Sequence, residues 1–485
     1  MELKFEKKYI ERYGIGILLF AIFILSFYFR LMPLQKLGNY LQAIDPYYIF
    51  RTTQDLVNND FVLKDVDMLR YYPTGFSPKA ELYYLYYIYG ILYVLLFKWW
   101  GVSFLKYAQI IPALLGASYV ILAYFIGKEL KDRILGVYSS LAMAVITIIY
   151  ARSSAGFFEK EPLSGFFVLL SVLFFIKAYK SVRFLDGILF ALFTALSYAV
   201  WGGAVSLYYL YAAVLLGLWI LNKLSWEQAK ILALSSVLAA FLYAFMYSKY
   251  YMLKSGALGL LTFTGLFVLG IEFYFKRYSI SRSSYHNAGI LAAIVLFIFI
   301  GSFFSATLAK NIDQLYRLIV YKKAVMESTV AENVPANWGY FKGSYYYNVI
   351  EFDRFINDKI QLLNSTGMTL IGYLLSLVGL ILKPVFFIFS PLVLMLIGLG
   401  AMLYESLKND KNMIIKVLVV FSYAILLLSY YFFIGSQGTF TTANIIYVLA
   451  SAVIILYVLY KKPLEGTLLA FLLASFLMFV TKVRI

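Results

Sequence analysis

Four carboxylates stand next to apolar runs in this chain. Asp45 lies in Ile44-Asp45-Pro46-Tyr47-Tyr48, Glu159 and Glu161 in the segment 152–162, and Glu332 in Thr329-Val330-Ala331-Glu332. Acidic side chains at the edge of a membrane are costly and mark function. Several gathered at one place would repel one another unless a cation neutralised them. The chain has no cysteine and a single histidine, His286. A metal site would therefore use oxygen ligands, which suit a hard ion such as Mg²⁺ or Mn²⁺. Arg152 is a candidate helper cation beside Glu159 and Glu161, or else an interfacial residue whose stem lies along apolar surface. Each acid alone also has a plainer reading. An Asp after a span caps a helix, and Glu-x-Glu at a helix entrance complements the helix dipole.

The elements that would carry these residues are apolar. Of the 485 residues, 62% are hydrophobic and 14% charged, with mean hydropathy +0.80. Soluble domains are about half apolar and about a quarter charged. This composition excludes a soluble enzyme, a disordered protein and a nucleic-acid-binding domain. The net charge of +17 reads as Lys and Arg gathered in cytoplasmic loops, facing lipid headgroups rather than nucleic acid. The fold class is an all-α polytopic membrane protein.

Runs of about 20 apolar residues, the length that spans a bilayer, centre on 15–34, 104–127, 134–151, 163–180, 184–201, 204–222, 230–248, 256–275, 288–308, 369–405, 413–434, 440–460 and 463–481. They predict about thirteen transmembrane helices. The first follows Lys4, Lys7, Lys8 and Arg12 without a small-residue cleavage site, and reads as an uncleaved span. The Tyr-rich stretch 82–100 is expected at the interface. The run 369–405 contains Lys383, Pro384 and Pro391 and is read as one broken span. With the N-terminus inside, short inner loops hold 20 Lys and Arg, against four in short outer loops. Loops 35–81, 152–162 and 309–368 then fall outside with the C-terminus, which places all four acids on one face. Both long loops mix Trp, Tyr, Pro and Gly with both charge signs and are expected to be ordered. The whole chain, 1–485, reads as a single transmembrane domain.

The sequence around these acids resembles the catalytic subunit of oligosaccharyltransferase of the archaeal type, a C-type glycosyltransferase. Asp45-Pro46-Tyr47-Tyr48 matches the family's first-loop Asp followed by aromatics. Arg152-Ser153-Ser154-Ala155-Gly156-Phe157-Phe158-Glu159-Lys160-Glu161 matches its acidic-x-acidic loop, Thr329-Val330-Ala331-Glu332 its T-x-x-E motif, and Trp201-Gly202-Gly203 its tryptophan turn. The resemblance covers essentially the whole chain. It implies transfer of a glycan from a lipid phosphate or diphosphate carrier, of dolichyl type, to Asn of Asn-x-Ser/Thr in an acceptor polypeptide. It implies a Mn²⁺ or Mg²⁺ site made by Asp45, Glu159, Glu161 and Glu332. Asp45 and Glu332 would also hold the acceptor amide, with Arg152 in the site and Thr329, Trp201 and Thr439 binding substrate. The active site would face the outer side of the cell membrane.

Two departures from the family pattern set further expectations. The family's C-terminal soluble domain, with the WWDYG motif that reads the acceptor hydroxyl, is not in this sequence, so the expectation is either that a separate outer-face protein supplies sequon recognition or that the chain alone selects weakly for Asn-x-Thr over Asn-x-Ala. The family's Arg near the start of the penultimate span is replaced by Thr439. Three other readings stay open: a C-type transferase with a hydroxyl acceptor, which the T-x-x-E match argues against; a non-catalytic paralogue lacking the soluble domain; and a lipid or solute transporter. Transporters place ionisable groups at mid-membrane and repeat between halves, whereas the acids here lie in loops.

Overall fold

The computed structural model describes residues 2–145, 147–247 and 256–279, with scattered residues between 287 and 458. Among the described residues the backbone is helical, and the one β pairing is an isolated antiparallel bridge between Asp67 and Phe76. The helices are α1 (Glu2–Leu31), the single turn α2 (Leu34–Leu37), α3 (Asp45–Asn58), α4 (Tyr84–Leu96), α5 (Phe104–Leu130), α6 (Arg133–Val145), α7 (Thr147–Ala151), α8 (Lys160–Ser181), α9 (Phe184–Val200), α10 (Ser206–Ile220), α11 (Trp226–Met246) and α12 (Gly256–Arg277).

Every apolar run expected between 15 and 275 lies on helical backbone. Among the described residues, five segments are long and apolar enough to cross a membrane: Tyr13–Leu37, Phe104–Leu130, Lys160–Ser181, Gly202–Ile220 and Trp226–Met246. The chain is a multi-pass membrane protein. The expected runs from 288 onward, including the broken span 369–405, and the loop 309–368 lie largely or wholly outside the described residues.

The stretch 82–100 forms α4, of 13 residues. At about 1.5 Å per residue it rises ~20 Å, short of a hydrocarbon core of ~30 Å. Trp99 and Trp100 follow it and are largely exposed, as expected of an interfacial anchor.

Small residues set how closely the helices approach. A Cβ on Gly127 of α5 would lie 2.7 Å from the Leu135 carbonyl oxygen, and one on Gly136 of α6 would lie 2.7 Å from that of Tyr124. The α5–α6 pair therefore packs backbone to backbone, a usual solution in membranes, where burying apolar surface gives little drive. The α8–α9 hairpin turns at Val182, which takes the left-handed conformation (φ 55°), and is closed by Arg183 Nε donating to Asp186 Oδ2 at 2.9 Å. Two polar contacts cross that hairpin: Ser171 with Thr194 (2.5 Å) and Ser164 Oγ donating to the Ser197 carbonyl (3.0 Å).

The antiparallel alternation of α1, α5, α6 and α7, α8 and α9 delivers three connections to the same end of the helices. These are residues 32–103, the loop 152–159 and the turn 201–205. Residues 128–133 and 177–183, rich in Lys and Arg, occupy the other end, where Lys180 donates to the Leu130 carbonyl at 3.2 Å. The stretch 32–103 is folded, not an open loop. Leu41, Ile49, Leu56, Leu63, Tyr86 and Tyr89 build a small core that includes Tyr107 of α5 and Phe158.

The chain divides into two compact units. The first, chiefly Met1–Tyr209 and Glu227–Leu269, contains every described residue singled out from the sequence. Within the second, Asn287 Nδ2 donates to the Trp219 carbonyl at 2.6 Å.

Candidate functional site

The loop that carries Glu159 and Glu161 is buried from Ser153 to Glu159, so its backbone polar groups need partners inside the protein. The Ala155 N–H donates to the Arg30 carbonyl at 2.8 Å, the Gly156 N–H to the Gln109 backbone carbonyl at 2.8 Å, and the Gln42 N–H to the Gly156 carbonyl at 3.0 Å. Ser154 Oγ donates to Gln42 Oε1 at 2.6 Å. Gly156 makes this possible. Its φ is +84°, and a Cβ there would meet Leu37 Cδ1 at 2.6 Å and the Gln42 nitrogen at 3.2 Å.

Three tyrosines anchor the far side of the loop. Tyr89 of α4 donates to the Glu159 carbonyl at 2.6 Å, and Tyr107 to the Tyr89 carbonyl at 2.6 Å. Tyr119 of α5 donates to the Pro162 carbonyl at 2.5 Å. Phe158 packs on the Tyr89 ring with centroids 4.3 Å apart. The Gln109 side chain donates to the carbonyls of Gly38 and Tyr40, each at 2.9 Å. That fixes the chain leaving α1 just before Asp45.

Glu159 stands just before α8 in an extended conformation, with no side-chain bond to the helix N-terminus. Burial pushes its carboxyl up to about 7. The charges of Glu161 and Asp45 add to the rise, and Lys160 and Arg152 oppose it. Glu159 therefore feels the first-loop Asp and its own neighbour together. Glu161 opens α8. Its Oε1 lies 3.7 Å from Arg152 Nη1, and its Oε2 is buried without a hydrogen-bond partner. Arg152 also lies 5.3 Å from the Phe157 ring centroid. Asp45 is the exposed first residue of α3. Trp201 ends α9 at the same end as Glu159, as the Ser164–Ser197 bond requires, and its indole lies against Gly203, where a Cβ would meet it at 2.3 Å. Thr329, Glu332 and Thr439 lie outside the described residues.

Among the described residues, no three acidic side chains are close enough to hold a metal ion. Asp45, Glu159 and Glu161 share one end of the bundle and one electrostatic environment without forming a complete ligand set by themselves. Their chemistry fits a hard divalent ion: the donors are carboxylate oxygens, one of them buried and unpartnered, and none is soft. The sequence reading passed over the residues that position this loop: Arg30, Gln109, Tyr89, Tyr107 and Tyr119. The available signal was a polar or charged residue inside an apolar run, as at Arg30 within 15–34 and Gln109 within 104–127.

Fold and site together define a polytopic helical membrane protein that gathers acidic residues from separate connections at one end. The family described as "Oligosaccharyl transferase STT3, N-terminal" matches residues 15–309, and the chain belongs to that family. It is similar to the dolichyl-diphosphooligosaccharide–protein glycosyltransferase subunit STT3B of Arabidopsis thaliana, with 28% identity over 211 residues, 40% of this chain and 28% of the relative. It is also similar to dolichyl-phosphooligosaccharide-protein glycotransferase 1 of Pyrococcus horikoshii, with 27% identity over 198 residues, 39% of this chain and 19% of the relative. Its fold matches that of the archaeal oligosaccharyltransferase AglB from Archaeoglobus fulgidus, solved in complex with an inhibitory peptide and a dolichol-phosphate. The TM-score is 0.57 at 14% identity, covering 96% of this chain and 56% of that one. The matched stretches thus span well under a third of these curated relatives.

Proposed function

We propose that this chain is a membrane glycosyltransferase that moves a glycan from a dolichyl-type phosphate or diphosphate carrier to the side-chain nitrogen of Asn in Asn-x-Ser/Thr. The observation that carries the reading is the exposed Asp45 within electrostatic reach of the buried Glu159, in a chain of the STT3 family. The archaeal neighbour holding a peptide and a dolichol-phosphate supports the two substrate classes.

In the reaction the bond from sugar C1 to phosphate oxygen breaks and a bond from C1 to the amide nitrogen forms. The nitrogen gives a proton to a carboxylate that holds its N–H groups, Asp45 or Glu332, and the phosphate leaves with its negative charge on the carrier. A carboxamide nitrogen is a poor nucleophile, because its lone pair is delocalised into the carbonyl. Asp45 and Glu332 accept its N–H groups and loosen that conjugation. Arg152 offsets charge on the leaving phosphate. Trp201, Thr329 and Thr439 bind substrate. Asp45, Glu159, Glu161 and Glu332 would hold Mn²⁺ or Mg²⁺, which would supply positive charge to offset the carboxylates and the phosphate. The Lys- and Arg-rich end near 128–133 and 177–183 is cytoplasmic, so the acidic end faces the outer side of the membrane.

The test is transfer to an Asn-x-Thr peptide by purified protein, with and without Mn²⁺. Metal-dependent glycopeptide formation is expected; no product with a range of lipid-linked donors would overturn the reading. An Asn-x-Ala peptide in the same assay shows whether the chain reads the acceptor hydroxyl itself or needs a docked outer-face protein to do so.

The raised Glu159 gives a signed pH dependence. Its folded value of about 7 exceeds the ordinary value of 4.5, so the stability it contributes to metal-free protein is full below 4.5 and lost as pH rises through about 7. Metal ligation needs the ionised form. Mn²⁺ affinity should therefore fall as pH drops below about 7, by about tenfold per unit. Calorimetric titrations at several pH values check this. A flat affinity from pH 5.5 to 7.5 would remove Glu159 from the metal site.

A further inference from the structure

Arg30 is a charged residue near the end of the first membrane span, and its side chain is fully buried. Its Nε donates to Ser153 Oγ at 3.0 Å. One terminal nitrogen, Nη1, donates to Ser26 Oγ at 2.5 Å and to the Ser26 carbonyl at 3.3 Å. The other, Nη2, is buried without a partner. Among the described residues no carboxylate pairs with it, and its guanidinium lies 5.9 Å from the centroid of the Tyr150 ring. A buried guanidinium is expensive within a membrane and persists where it has a task.

Its surroundings point to that task. The Arg30 carbonyl accepts the Ala155 N–H, so one residue grips the loop by both backbone and side chain. Gly116 of α5 leaves the space for this grip. A Cβ there would lie 2.7 Å from Arg30 Nε and 2.3 Å from Ser153 Oγ. Ser153 Oγ itself donates to the Ile149 carbonyl at 2.5 Å, which ties the end of α7 into the same knot. Four residues beyond Ala155 the loop reaches Glu159, and then Glu161 at the start of α8. Tyr119 donates next to Glu161, at the Pro162 carbonyl.

We propose that Arg30 is the positioning residue of the acidic loop: its guanidinium on Ser153 and its carbonyl on Ala155 together hold Glu159 and Glu161 in place. The functional weight of that position rests on the reading of those two carboxylates as metal-holding groups. A planar guanidinium suits the task, because its fixed donors reach Ser26 on its own helix and Ser153 on the loop at once.

The chain has no cysteine, so single introduced thiols report on packing. Ala155→Cys probes the loop, and Ala178→Cys probes the far end of α8; both alanines are fully buried. In Arg30→Met, alkylation of the thiol at 155 is expected to accelerate about tenfold or more while that at 178 does not change. Arg30→Lys should keep much of the protection, because an ammonium can still donate to both serines. Free aqueous Mn²⁺, measured by electron paramagnetic resonance, should show affinity lowered about tenfold in Arg30→Met, as when other residues that orient metal ligands are lost, with partial recovery in Arg30→Lys.

A thiol at 155 that stays protected in Arg30→Met overturns the proposal. So does one that is exposed together with the thiol at 178, since the arginine would then serve the fold as a whole. Should Arg30→Met fail to fold, Ser153→Ala removes the acceptor of Arg30 Nε, together with the bond from Ser153 to the Ile149 carbonyl, and decides the matter. A local rise at 155 supports the proposal, and an unchanged rate overturns it. If wild-type protein binds no Mn²⁺ and transfers no glycan while the loop still loosens in Arg30→Met, the glycosyltransferase reading falls and the positioning role stands.

Discussion

Asp45→Asn is expected to lower glycan transfer by about 10²–10³-fold, the usual loss when one aligned electrostatic contact in an active site is removed, while the melting temperature stays unchanged. Asp45 is exposed at the start of α3, whereas the residues that seat this helix, Pro46, Ile49, Thr52, Thr53 and Leu56, are buried. Asn has nearly the same shape and suits a helix start, so packing survives and only charge is lost. A second signature follows. The Asp45 charge helps to raise the Glu159 carboxyl, so Glu159 should titrate lower in this variant. Initial rates with a labelled peptide and a thermal melt in detergent make the comparison. Wild-type transfer by Asp45→Asn would leave Asp45 as a helix start and nothing more.

Gly156→Ala is expected to be the most damaging small substitution near the site. Gly38 and Gly156 both have positive φ, +53° and +84°, a strained conformation for a side chain that costs about 1–3 kcal/mol. A Cβ at Gly38 meets open space, but one at Gly156 meets Leu37 and the Gln42 backbone nitrogen. Overpacking of that kind adds about 1–3 kcal/mol. Relief requires the loop to move away from Gln42, which breaks the bond between the Gln42 N–H and the Gly156 carbonyl. Glu159 and Asp45 would separate with it. Gly38→Ala should therefore lower the melting temperature and keep transfer, whereas Gly156→Ala should lower it about twice as much and lose most transfer. Equal effects in the two variants would show that the loop tolerates displacement.

The apolar helices before residue 280, five of them long enough to span, were legible because a membrane helix must satisfy its own backbone and present apolar side chains over a bilayer's width. That rule acts on consecutive residues and leaves its trace in any window of sequence. The expectation that 82–100 lies at the interface came from a related rule, since Tyr and Trp concentrate where one end of a side chain is wet and the other apolar, and the 13-residue length of α4 is consistent with it. The acids stood out as charges at the ends of such runs, and their motifs carried the family resemblance that the match over residues 15–309 bears out.

The positioning of those acids was decided in the tertiary structure alone. Arg30 reaches Ser153 across 123 positions, Gln109 reaches Gly38 across 71, and Tyr89 reaches Glu159 across 70. A hydrogen bond between such distant segments imposes no periodicity on either, so each residue reads locally as an oddity within an apolar run. Burial raises the Glu159 carboxyl and strands one oxygen of Glu161, and burial depends on what packs above a residue, not on its neighbours in the chain. Composition and local pattern determined that this protein is a membrane-spanning helical chain with acidic residues between its spans. Which of them share an environment, and what holds them there, arose only when α1, α4, α5 and α8 closed around the loop 152–159, because electrostatics and hydrogen bonding act across space rather than along sequence.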